Sequence, residues 1–186
     1  MTWLTTLWLP ILLSALFVFV ASSVIHMALP WHKNDYRSVP DEQKVSDALR
    51  PFAIPPGDYM MPRPTSRDDF KSPEFVARLQ QGPNMLLTVL PNESWKIGAT
   101  LGQWFVYCLV VSCFAAIVAT AGLGGRFEVH AAFHFTAITA FIGYSVALWQ
   151  EAIWSHRSVK TTFKSTIDGL IYGLITGATF MWLWPR

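Results

Sequence analysis

His130 and His134 are spaced four residues apart, which puts both imidazoles on one face of a helix, the spacing that zinc- and haem-binding helices use. Glu128 lies close by. A metal needs three or four ligands, so this pair is read in two ways, as part of a haem or metal site or as two interfacial histidines at the outer start of a helix. The remaining histidines, His26, His32 and His156, belong near the opposite side of the membrane in the topology derived below. Glu151 and Asp168 lie close in depth to Arg157, Lys160 and Lys164. Asp168, behind Ser165 and Thr166, reads as the N-terminal dipole partner of a helix, whereas Glu151 falls at a helix C-terminus, where the dipole has the unfavourable sign, and needs a cation. Salt bridging at the interface explains both acids more simply than catalysis.

No GxSxG, Walker loop, HExxH, paired CxxC or GxGxxG is present, and Gly122-Leu-Gly-Gly125 needs no phosphate to explain it beyond a turn between helices. The chain is therefore read as not an enzyme, with no cofactor assigned. Cys108 and Cys113 would stand about 140° apart on a helix, at about 100° per residue, so no disulfide is expected between them.

The elements that carry these residues are apolar. Of 186 residues, 52% are hydrophobic and 14% charged, well below the roughly 25% charged residues of soluble domains. A net charge of +2 with mixed signs excludes an electrostatic nucleic-acid footprint. Crossing a hydrocarbon core of about 30 Å takes roughly 20 apolar residues as helix, and four segments qualify, at about 3–29, 99–123, 131–153 and 167–184. The fold class expected is an all-α integral membrane protein of one domain, with a long Pro-rich loop over 30–98 that contains short helices. No Lys or Arg precedes the first segment and its apolar run exceeds a signal peptide's, so it is read as a retained helix.

Charge placement orients the bundle. The connection over 30–98 carries nine Lys or Arg, and Arg157, Lys160 and Lys164 add three more on the same side, leaving Arg126 and Arg186 opposite. By the positive-inside rule the termini are periplasmic and the long loop cytoplasmic. Trp3, Trp8, Trp31, Trp95, Trp104, Trp149, Trp154, Trp182 and Trp184 cluster near the segment ends, as membrane-interface anchors do.

Within the loop, ten of the chain's twelve prolines accompany nine acids and nine bases. Ser38, Pro40, Asp41 and Glu42 open one short helix running to Leu49, and Ser72, Pro73 and Glu74 open another that Gly82 stops. Between them Phe52, Ile54, Tyr59, Met60 and Met61 form an extended apolar strap, since its prolines disfavour both ladder and helix. The run Met85–Leu90 is too short to span and is read as an interfacial or re-entrant piece. The loop either packs under its own helices or binds a partner subunit.

Gly169, Gly173 and Gly177 recur every fourth residue of the last segment, a smooth stripe that permits close approach of another helix, from the same chain or from another subunit. The middles of the four segments lack charge, which argues against an ion-coupled pump. The leading functional expectation is a non-catalytic accessory or scaffold subunit of an inner-membrane assembly, its partners being the lipid bilayer and another membrane protein or a second copy in a homo-oligomer. The rivals are a small carrier or binding protein that offers Tyr107, Thr136, Thr139, Tyr144 and Thr176 to a weakly polar ligand, and a haem or metal redox subunit at His130 and His134.

Several runs carry a resemblance: Gly82-Pro-Asn-Met-Leu-Leu-Thr-Val-Leu-Pro91, Leu101-Gly-Gln-Trp-Phe-Val-Tyr107, Ser155-His-Arg-Ser-Val-Lys-Thr-Thr-Phe-Lys164, Ile167-Asp-Gly-Leu-Ile-Tyr-Gly-Leu-Ile-Thr-Gly177 and Trp182-Leu-Trp-Pro185. Over roughly residues 82–185 the chain resembles a group of uncharacterised bacterial four-helix inner-membrane proteins. The resemblance implies a bacterial inner membrane and brings no activity, cofactor or catalytic residue with it.

Overall fold

The computed structural model describes residues 2–94, 96–124, 126 and 128–185. The expectations placed on the Trp3 side chain and on Trp95, Gly125 and Arg186 lie outside what is described. The chain divides into two compact units, Met1–Tyr36 with Lys96–Arg186, and Arg37–Trp95.

The first unit is a four-helix bundle. Helix α1 (Thr2–Ser23) runs directly into a π-helical turn, Val24–Ala28, and a 3-10 turn, Pro30–His32. Helix α4 covers Ile97–Leu123, and the third rod is α5 (Val129–Phe141), a π-helical turn (Ile142–Val146) and α6 (Leu148–Trp154). Helix α7 covers Val159–Leu183. Four helices, Thr5–Ala28, Ile97–Leu123, Val129–Trp154 and Val159–Leu183, are thus long and apolar enough to cross a membrane. Each helix touches the next in the chain and α7 closes the ring against α1.

The last helix starts eight residues before the expected position 167. Hydropathy places 159–166 in a loop because the segment is mostly polar, but Ser158 caps it, its Oγ accepting from the Thr161 N–H at 3.3 Å, and the helix extends beyond the apolar stretch. Asp168 therefore lies in the third turn of α7 and not at the helix start, which corrects its reading as a dipole partner.

The core is built from small residues. Ala15, Ala115, Ala116, Ala119, Ala132 and Ala140 are fully buried, while Trp8, Phe17, Phe114, Ile138 and Leu170 face outward. That is the inverse of a soluble bundle and lets backbones approach closely. The glycine stripe is closed from within the chain. A Cβ on Gly173 would stand 2.8 Å from the Ala137 carbonyl oxygen, one on Gly169 2.5 Å from the Ser145 Cβ, and one on Gly177 2.7 Å from the Ala137 Cβ. The third rod fills the groove and no second helix fits there. The indoles divide: Trp154 and Trp182 point outward, but Trp184 is buried and Trp104 packs against Tyr107, Tyr144 and Tyr172, so those two are core residues rather than anchors.

The second unit holds α2 (Glu42–Leu49), β1 (Gly57–Met61), α3 (Pro73–Gln81) and β2 (Met85–Val89). Both short helices appear, but only the second uses its expected cap, Ser72 Oγ accepting from the Phe75 N–H; α2 starts at Glu42 behind Asp41, which makes no side-chain cap hydrogen bond, so Ser38 is not its cap. The strap and the run Met85–Leu90 are corrected. They pair as an antiparallel ladder from Gly57 opposite Val89 to Met61 opposite Met85. Pro55, Pro56 and Pro62 bound the five-residue strand instead of interrupting it, so no ladder hydrogen bond is lost to them.

Candidate functional site

His130 and His134 are both exposed on the first turns of α5, as is Glu128 just before it, and no third ligand joins them among the described residues. Glu151 is exposed and has no ion pair among the described residues, so the cation expected for it is absent from that set.

A different group converges at the other end of α1. The turn Pro30–His32, launched by Pro30 at its first position, lays Trp31 and His32 against α7, where Lys164 and Asp168 stand one helical turn apart on the same face. His32 Nδ1 donates to Asp35 Oδ2 at 2.5 Å and His32 Nε2 donates to Asp168 Oδ2 at 2.8 Å. An imidazole donates from both nitrogens only as the imidazolium. The indole N–H of Trp31 donates to Asp168 Oδ1 at 3.2 Å, and Lys164 Nζ donates to Asp35 Oδ1 at 2.5 Å and to the Trp31 carbonyl at 2.7 Å. The Lys164 ammonium also lies 5.6 Å from the centre of the Trp31 ring, within cation–π range.

The four charged side chains are largely out of solvent, Asp168 being 4% exposed, Asp35 8%, His32 12% and Lys164 14%. Two acids and two bases balance in charge, which is the condition for keeping ions in such a place. Burial on its own would raise the Asp35 carboxyl, but hydrogen bonds from Lys164 and His32 outweigh it and hold that group below the usual carboxylate range.

His26, on the π-helical turn of α1, stacks on His32 with ring centres 4.2 Å apart. Donor atoms of His26, His32 and Asp168 lie within 4.8 Å of one another, a two-histidine, one-carboxylate set able to hold a transition metal. An open cavity of about 390 Å³ lined by His26, Met27, Leu29, Pro30, His32 and Lys33 adjoins them.

The sequence had grouped His26, His32, Lys164 and Asp168 on one side of the membrane without pairing them. Two signals could have done so. Lys164 and Asp168 have i, i+4 spacing, and His32 and Asp35 follow the first span immediately. Of the polar residues offered to a ligand inside the bundle, Thr136, Thr139 and Thr176 each donate to the carbonyl four residues back, Tyr107 donates to the Gly143 carbonyl at 2.6 Å, and Tyr144 is buried. No protein-family model, curated protein or solved structure matches the chain.

Proposed function

We propose that this chain is a multi-pass protein of a bacterial inner membrane, with periplasmic termini and the Arg37–Trp95 unit in the cytoplasm, acting as a non-catalytic accessory or scaffold subunit. One observation carries the reading. Among the described residues of that unit Phe75 alone is buried, while Phe52, Met60, Leu86 and Leu90 are exposed. Phe75 is held by an edge contact from Phe70 and by Arg78 over its ring. A two-stranded sheet with so small a core is marginal in isolation, and its apolar side chains call for a covering surface. Another membrane protein or a second copy of this chain supplies one. Purification in mild detergent tests this: a stoichiometric partner or a homo-oligomer is expected, weakened by Phe52→Asp, and recovery as a lone monomer overturns it.

A second reading, a carrier for a weakly polar ligand, keeps one specific support. Among the described residues the buried hydroxyls of Tyr144 and Tyr172 find no hydrogen-bond partner, and buried polar groups are seldom left so. Mass analysis of solvent extracts of the pure protein should then show a stoichiometric small molecule; lipid alone would remove this reading.

A further inference from the structure

We propose that His26, His32 and Asp168 form a binding site for one divalent first-row transition ion of the zinc class, at the end of the bundle where α1 passes into the Pro30–His32 turn. The donor set is the first reason. Two imidazoles and one carboxylate suit such ions, and three protein ligands leave a fourth position open, as at zinc sites that exchange a ligand. The adjoining cavity of about 390 Å³ has ample room for a water or small anion there, since a water takes about 30 Å³.

The surrounding groups are the second reason. Histidines that ligate metals give their other ring nitrogen to a carboxylate or carbonyl, which fixes the ring. Asp35 does this at His32 Nδ1, and Lys164 in turn holds Asp35. The Trp31 indole occupies Asp168 Oδ1, so the two atoms left facing each other are His32 Nε2 and Asp168 Oδ2, 2.8 Å apart. Ligand bonds of about 2.0 Å at a tetrahedral angle put donor atoms about 3.3 Å apart, so the pair opens only by about half an ångström to admit an ion.

His26 is the third reason. It makes no hydrogen bond among the described residues, is exposed, and stacks on His32. A closed ion-pair lock between α1 and α7 gives it nothing to do. As the unpinned ligand it turns about its side-chain torsions to complete the site. The proton on His32 Nε2 leaves to solvent, its hydrogen bond to Asp168 Oδ2 breaks, and both atoms together with a His26 ring nitrogen would coordinate the ion; no bond between heavy atoms of the chain changes.

The test uses full-length protein with a histidine-free tag, in nanodiscs, stripped with a chelator and titrated calorimetrically with Zn²⁺ in buffers of different ionisation heat. One ion per chain with proton release is expected. His26→Ala should weaken binding at least tenfold while leaving the metal-free melting temperature unchanged, and Asp35→Asn should weaken it 10- to 100-fold. Absence of saturable binding overturns the proposal. So does unchanged affinity in His26→Ala, or a loss produced instead by a His130→Ala, His134→Ala double variant.

Discussion

Asp35 holds Nδ1 of His32 at 2.5 Å and thereby aims the opposite ring nitrogen at Asp168, 2.8 Å away on α7. One side chain from the loop thus fixes how the first and last helices of the bundle meet.

Asp168→Ala should leave the His32 Nε2–H and the Trp31 indole N–H without their acceptor in a place shielded from water. Breaking a buried ion pair in this way costs about 3 to 5 kcal/mol. A fall in melting temperature measured in detergent checks the loss. In a double-mutant cycle, His32→Ala combined with Asp168→Ala should cost less than the sum of the two, because the contact they share is lost only once.

Acid should weaken the same contact. Asp35 is held below its ordinary value in the folded protein, so its stabilisation is fully present above the unfolded aspartate value of about 3.9 and disappears as pH falls through the lower folded value. A melting-temperature profile of the wild type should therefore drop below about pH 4. Asp35→Asn should flatten that drop.

The glycine stripe predicts a contrast between positions of the same residue type. Gly173→Val forces a Cβ to within 2.8 Å of a backbone oxygen of the third rod and should destabilise by about 1 to 3 kcal/mol. Gly102→Ala, on α4 with nothing within 4 Å of the new carbon, should be neutral or stabilise by up to about 1 kcal/mol. Thermal melts of the two variants in one detergent settle the comparison.

Orientation is open to labelling. A cysteine placed at exposed Ser66 should stay unreactive to a membrane-impermeant maleimide in intact cells and react after lysis, as a cytoplasmic loop requires. The native Cys108 is buried and Cys113 half-buried, so background is low.

Hydropathy made the four long helices legible to within a few residues, because twenty-odd apolar positions in a row admit few alternatives. The start of α7 was not legible by that signal. The helix keeps its hydrogen bonds through the polar residues Lys160 to Thr166, and its Ser158 cap was visible only to a capping rule. That shift is what moved Asp168 inward. The ladder between Gly57–Met61 and Met85–Val89 joins segments separated by a helix and a turn, and no local pattern records such a register. The site itself unites residues about 130 positions apart in the chain. Their types and shared end of the bundle were readable; their contact depended on the ring of helices closing α7 onto α1.

The wide turn at Val24–Ala28 has a consequence for what lengths of chain are permitted. A π-turn accommodates one extra residue within an α-helix, so deleting a single residue there would restore an unbroken spiral. Everything before the deletion would then be rotated by about 100° relative to everything after it. Ser22, which accepts from the Trp104 indole N–H at 2.7 Å, and buried Val18 would swing out of phase with Trp31 and His32, and the more regular helix would be the one that no longer fits its neighbours. The irregular turn works as a gear tooth that sets the timing between the greasy rod and the polar residues at its end.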